Sequence, residues 1–186
     1  VKDLEFTVYF LQETHLQDAI NNKWQADCGG TCFFSGNSSK CEGVAILIQP
    51  NCNVEIIDSV QIIEGRILAL NVIIGGKQIT LVSIYGPNKD DVTVFDNLNI
   101  FLNIIIIGGD FNTVLNPTQD KNNGKLDTHT KCRTTIKHVV HVHDLVDIWR
   151  LKHPSTGKYT RHSNTRPHIH CRLDYVLIPS FRLRDN

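Results

Sequence analysis

Residues 104–112 read Ile-Ile-Ile-Ile-Gly-Gly-Asp-Phe-Asn, and no other stretch narrows the possible folds so far. Four β-branched residues in succession suit a strand covered on both faces. Two glycines then end the run and admit a close backbone neighbour. If the chain stays extended through Asp110, Phe111 and Asn112, alternate side chains point the same way. Asp110 and Asn112 then share one side, and Phe111 packs on the other. Polar groups aimed together from the end of a buried strand cost desolvation, so they mark a candidate site.

The remaining apolar runs are mostly strand-like. Phe6–Leu11 and Gly43–Ile48 read as buried strands, and Val54–Ile63 and Arg66–Ile74 as β-rich runs. Gly75-Gly76 is a natural two-residue hairpin into Lys77–Tyr85. Asp90 and Asp91 suit the first turn of a helix that places Phe95, Leu98 and Leu102 on one face. Thr130–His143 has helical spacing through Ile136, Val139 and Val140, with Asp144–Trp149 packed beside it. Tyr159-Thr160 and Arg172–Ile178 read as closing strands. Strands dominate and hairpins imply antiparallel or mixed pairing. The expected fold class is therefore an α/β two-sheet sandwich, not a doubly wound parallel sheet. No internal linker divides the chain, so residues 1–186 are expected to form a single domain.

Composition excludes more than it selects. Hydrophobic content of 41% and charged content of 20% suit a soluble globular chain. No apolar run reaches membrane-spanning length and the first residues lack signal-peptide character, so a nuclear or cytoplasmic location is expected, without secretion. Methionine is absent even at position 1, which points to a piece of a longer reading frame. Net charge is zero, but it is unevenly spread. Residues 1–130 carry 8 Lys/Arg against 15 Asp/Glu, whereas 131–172 carry 9 against 2, with seven of the nine histidines. A basic later half suits either a phosphate-facing edge or a solvated helix and loop. The six cysteines, at 28, 32, 41, 52, 132 and 171, match no zinc-module spacing and are expected to be reduced thiols.

The apolar strands stop at distinctive polar residues, Glu13, Tyr85, and Asp110 with Asn112, and Asp174 sits within Arg172-Leu-Asp-Tyr175. Carboxylates, an amide and a phenol gathered over one edge are what phosphodiester hydrolysis requires. A hard cation such as Mg²⁺ takes carboxylate oxygens and keeps several waters. It neutralises developing charge and helps activate water, while hydroxyl and amide donors, Thr160 among them, stabilise non-bridging oxygens.

The segments Leu11-Gln-Glu-Thr14, Ser83-Ile-Tyr-Gly-Pro87, Gly108-Gly-Asp-Phe-Asn112 and Arg172-Leu-Asp-Tyr175 occur in this order. In that order they resemble the endonuclease/exonuclease/phosphatase superfamily, the fold of deoxyribonuclease I and the apurinic endonucleases. Asp110-Phe-Asn-Thr-Val-Leu-Asn116, Asp144-Leu-Val-Asp-Ile-Trp-Arg150 and Tyr159-Thr160 make the endonuclease domain of LINE-type (non-LTR) retrotransposons the nearer resemblance, from about Phe6 to Ser180. The resemblance implies a Mg²⁺-dependent endonuclease, with Mn²⁺ as a substitute ion, that nicks target DNA. It also implies a longer polyprotein with a downstream reverse transcriptase. In it Glu13 binds the metal, Tyr85 contacts the scissile phosphate, and Asp110 orients or deprotonates water. Asn112 contacts phosphate and nucleophile, Thr160 lies on the DNA-facing rim, and Asp174 orients a catalytic histidine.

The chain departs from that pattern at both ends. It has no Ser-Asp-His segment after Arg172-Leu-Asp-Tyr175, and no Asn-bearing strand ahead of Glu13. His168 and His170, the nearest histidines to Asp174 in sequence, read as surface or DNA-facing residues. Impaired cleavage by these 186 residues alone is the expectation. Two other readings stand beside the nuclease: a same-fold phosphoesterase for a small or lipid phosphoester, and a non-catalytic remnant or nucleic-acid-binding fragment.

Overall fold

The computed structural model describes residues 7–15, 29–36, 42–50, 52–123, 129–164 and 168–183. They fall into two units, Val1–Tyr85 with Asn103–Gly109, and Gly86–Leu102 with Asp110–Asn186.

In the first unit the alternation of apolar residues builds two sheets. β1 (Val8–Gln12), β2 (Thr31–Ser35) and β3 (Val44–Ile48) form an antiparallel sheet in the order β1-β3-β2. β3 is buried along its whole length. The strand expected from Phe6 is seen from Val8, and Phe6 itself lies outside the described residues. β4 (Val54–Ile63), β5 (Ile67–Ile74), β6 (Lys77–Tyr85) and β7 (Ile104–Asp110, all but its last residue in this unit) lie side by side in that order. Gly75 and Gly76 both take positive φ, 58° and 73°, so the β5–β6 turn has the twist that tight hairpins prefer. Val44, Ile46 and Ile48 of β3 pack with Leu68, Leu70 and Val72 of β5 and Ile79, Leu81 and Tyr85 of β6. Every second residue of each strand faces this core, the period expected when two sheets stack.

The second unit contains α1 (Thr93–Asp96), β8 (Lys121–Asn122), α2 (Thr130–Val142), β9 (Leu145–Asp147), α3 (Ile148–Lys152), β10 (Arg161–His162), β11 (His170–Cys171) and β12 (Asp174–Pro179). The helix anticipated after Asp91 is one turn long and tightens into a 3₁₀ turn at Asn97–Ile100. Phe95 and Leu98 are buried, but Leu102 is 97% exposed. The chain has left the helix before Leu102, so no third ridge forms. α2 buries Cys132, Ile136 and Val139. β12 pairs antiparallel with β9, and β8, β11 and β10 make a small separate antiparallel sheet. The closing strand foreseen at Tyr159-Thr160 starts at Arg161.

An ion-pair network anchors this unit. Arg172, 3% exposed, bonds both oxygens of Asp120 through Nε and Nη2, at 3.0 and 3.1 Å. Its Nη2 also reaches Asp147, and Arg150 pairs with Asp120 from the other side. Burial opposes the Arg172 charge, but the Asp147 and Asp120 carboxylates outweigh it and raise its pKa. These partners come from distant segments, although Asp174 lies only two residues from Arg172.

Among the described residues no helix is long and apolar enough to cross a membrane. The described cysteines, Cys32, Cys52, Cys132 and Cys171, are free thiols, while Cys28 and Cys41 lie outside the described residues.

Candidate active site

In the first unit, Glu13 follows the end of β1 and Tyr85 closes β6. The Tyr85 hydroxyl donates to Glu13 Oε1 at 2.8 Å. The tyrosine ring is buried, whereas the glutamate is open to solvent. Arg66 lies over the ring, 4.8 Å from its centroid, and pairs with Glu42. Glu13 has φ 51°, a left-handed conformation that a β-carbon disfavours. Strain of this kind collects where a side chain must be aimed in one direction.

Asp110 and Asn112, in the second unit, do not continue the strand. Asn112 has φ 48° and donates its backbone N–H to Asp110 Oδ1 at 2.7 Å. The period-two expectation fails here because the Asp110 carboxylate captures that N–H and closes an Asx-type turn. Phe111 is fully buried all the same. It stacks on Phe95 at 6.0 Å and meets Tyr175 edge-on at 5.4 Å. Backbone bonds brace the turn from two directions: Gly86 N–H donates to Asp110 O at 2.7 Å, and Phe111 N–H donates to Leu173 O at 2.8 Å. Asn112 Nδ2 donates to Gly86 O at 3.0 Å. A β-carbon on Gly86 would sit 2.2 Å from Phe111 O, so only glycine fits beside the turn.

Thr160 and Asp174 are neighbours. Thr160 Oγ1 accepts the N–H of Leu173 at 3.0 Å and that of Asp174 at 3.3 Å. This hydroxyl sets the entry into β12, and both residues are exposed. Tyr175 bridges Arg172 O at 2.7 Å and Leu115 N at 3.0 Å, tying the Arg172–Tyr175 segment to the loop after Asn112. Burial raises the Cys171 thiol pKa. Arg161 and Lys121 lower it, while the Asp110 and Asp174 charges add to the rise, so both carboxylates act electrostatically on one thiol.

His129, which no motif singles out, presents Nδ1 to Asn112 O at 2.9 Å. Its position just ahead of α2 could have been read from Thr130 onward, but nothing local ties it to Asn112. Asp120, also missed, is the buried partner of the arginine in the Arg172–Tyr175 motif.

The donor chemistry fits a hydrated divalent cation. Mg²⁺ usually takes one or two carboxylates and retains water, and Glu13 offers an accessible carboxylate next to a phenol donor. Among the described residues no three His, Cys, Asp or Glu side chains are grouped as a closed metal cage.

No protein-family model matches the chain. It is 28% identical over 184 residues to an uncharacterized 149 kDa protein of transposon TX1 from Xenopus laevis; the match covers 94% of this chain and 14% of that protein. Among solved structures, the catalytic domain of Xenopus laevis APE2 superposes with a TM-score of 0.75 at 15% identity, covering 98% of this chain and 77% of the other. The AP endonuclease LMAP of Leishmania major gives 0.73 at 16% identity, with coverages of 96% and 71%. An AP endonuclease from Archaeoglobus fulgidus gives 0.69 at 21%, with coverages of 95% and 77%. The chain therefore has the α/β sandwich fold of the AP endonucleases, and its sequence is similar to that of a transposon protein.

Proposed function

We propose that this chain is a DNA endonuclease that hydrolyses a phosphodiester bond with the help of a divalent cation and nicks target DNA for retrotransposition. The observation that carries the reading is the Tyr85–Glu13 hydrogen bond, a phosphate-type donor beside a hard metal ligand, in a chain with the AP-endonuclease fold. Likeness to a transposon protein of which the match spans 14% supports a larger protein; a reverse transcriptase downstream and work in the nucleus or cytoplasm are part of the same proposal.

Glu13 would hold the cation, Mg²⁺ or Mn²⁺, which supplies charge neutralisation at the phosphoryl oxygens. The single phenolic proton of Tyr85, given to Glu13 in the free protein, would turn to a non-bridging oxygen once Glu13 holds the cation, and the buried ring keeps the hydroxyl in place. Asp110 receives the proton of, or orients, the attacking water, and the Asn112 amide contacts the phosphate. Thr160 lies on the DNA-facing rim and Asp174 orients an imidazole. The basic stretch 131–172 lies along the phosphate backbone and makes binding salt-dependent.

The test is conversion of supercoiled plasmid to open circles in Mg²⁺ by the chain within its flanking reading frame. Glu13→Ala and Asp110→Ala should each lower the rate by about a hundredfold or more. Nicking that survives both substitutions unchanged overturns the assignment. Competition by small phosphoesters as effective as that by DNA would move the substrate to a phosphoester of the same fold.

A further inference from the structure

We infer that His129 is a positioning residue for the turn that carries Asp110 and Asn112. Asn112 is held in the left-handed region at φ 48°, a conformation that asparagine adopts more readily than most residues but that its neighbours must hold. Three bonds do so. Its N–H goes to Asp110 Oδ1 at 2.7 Å, its Nδ2 to Gly86 O at 3.0 Å, and its carbonyl faces His129 Nδ1 at 2.9 Å. The first two are made within the strand-end loop and its immediate neighbour. The third comes from the head of α2 and joins the turn to that helix, as the Phe111–Leu173 backbone bond joins it to the entry of β12.

A carbonyl oxygen only accepts hydrogen bonds, so the contact places a proton on Nδ1 of His129. The ring has little freedom to leave. Asp90 accepts the N–H groups of Lys131 at 3.2 Å and Cys132 at 2.9 Å, fixing the first turn of α2 directly after His129. One turn further, Arg133 Nε donates to Val114 O at 2.7 Å. The helix thus grips the loop at Asn112 and again at Val114. The carbonyl held by His129 and the N–H bonded to the Asp110 carboxylate belong to the two peptides that meet at the Asn112 Cα, so an imidazole that fixes the first restrains the second and, through it, the direction of Asp110. Misplacement of a reacting group by a fraction of an ångström to one ångström is costly in rate even when binding is intact.

The kinetic consequence rests on the nuclease reading, whereas the hydrogen bond does not, and the experiment separates the two. Three variants are made in the chain within its flanking reading frame. His129→Ala removes the donor. His129→Asn puts an amide nitrogen the same number of bonds from Cα as Nδ1, and His129→Gln puts it at the distance of Nε2. In plasmid nicking, His129→Ala is expected to lower kcat by about 10- to 100-fold with little change in KM. His129→Asn should recover most of the loss, and His129→Gln should not. Nitrogen-15 NMR should find the neutral ring protonated on Nδ1, and the Asn112 side-chain amide signals should move in His129→Ala but not in His129→Asn.

Wild-type kcat in His129→Ala, equal activity of the Asn and Gln variants, or a neutral ring with its proton on Nε2 would each overturn the inference. If the unmodified protein nicks no DNA, the nuclease reading fails and the NMR measurements alone decide whether His129 holds Asn112. If His129→Ala does not fold, the comparison of Asn with Gln carries the test.

Discussion

Tyr85 and Glu13 stand 72 positions apart in sequence, yet the phenol donates to the carboxylate across 2.8 Å. Tyr85→Phe removes one hydroxyl and leaves the buried ring in place. Its expected stability cost is about 1 kcal/mol, the net worth of one hydrogen bond. Plasmid nicking should fall much further, by about 10²- to 10³-fold, if the hydroxyl serves the transition state. Melting curves and nicking rates on the same samples check the separation. A proportionate loss of both would make the tyrosine a packing residue.

Gly86 packs directly against the Asp110–Asn112 turn. A methyl group there would meet backbone atoms of Phe111 at 2.2, 2.5 and 2.9 Å, none of them on a side chain that can swing away. Gly86→Ala is therefore expected to destabilise the fold by at least about 2 kcal/mol, through displacement of main chain and not through lost contacts. Urea titration measures this, and an unchanged midpoint would contradict the geometry.

Asp120 is 1% exposed and neutralises the buried Arg172 with two bonds. Asp120→Ala leaves that guanidinium short of a partner and should cost about 3–5 kcal/mol. The double replacement Asp120→Ala with Arg172→Met removes both charges and should cost less than the single change. A double-mutant cycle by chemical denaturation tests this ordering, and additivity would refute coupling between the two residues.

Acid should weaken the second unit in two stages. Burial lowers the His143 pKa below 6.5, partly opposed by its bond to Leu98. A histidine whose folded pKa is depressed favours the neutral form, so its contribution is complete above pH 6.5 and is lost as pH falls through the lowered folded value. Asp90 responds in a lower window. The Cys132 N–H bond pulls its pKa below 3.8, so its contribution is present above 3.8 and is lost as pH falls through the folded value. Tm measured from pH 7.5 to 3 should show both declines. His143→Gln should remove the upper one and Asp90→Asn the lower. A Tm profile indifferent to both replacements would contradict these directions.

What the sequence determined by itself is local periodicity. Val54–Ile63 and Lys77–Tyr85 are strands with the limits their alternation indicates, and Gly75-Gly76 makes the turn between β5 and β6. Thr130–Val142 is a helix with Ile136 and Val139 inward. These elements depend on residues two to four places away, so the pattern is written in neighbouring letters. The short strand Thr31–Ser35 was not legible, because its five residues carry too little alternation to outweigh the loops around them.

Tertiary structure decided the partnerships. Arg172 lies two residues from Asp174, yet it bonds Asp120 and Asp147, since burial makes a bidentate, desolvated partner worth more than a nearby exposed one. Asn112 left the extended path once Asp110 could accept its N–H and His129 could hold its carbonyl. Such choices compare the desolvation cost of a polar group with the hydrogen bonds that the folded chain brings to it. That comparison depends on which distant segments arrive beside it, so spacing along the sequence does not contain the answer.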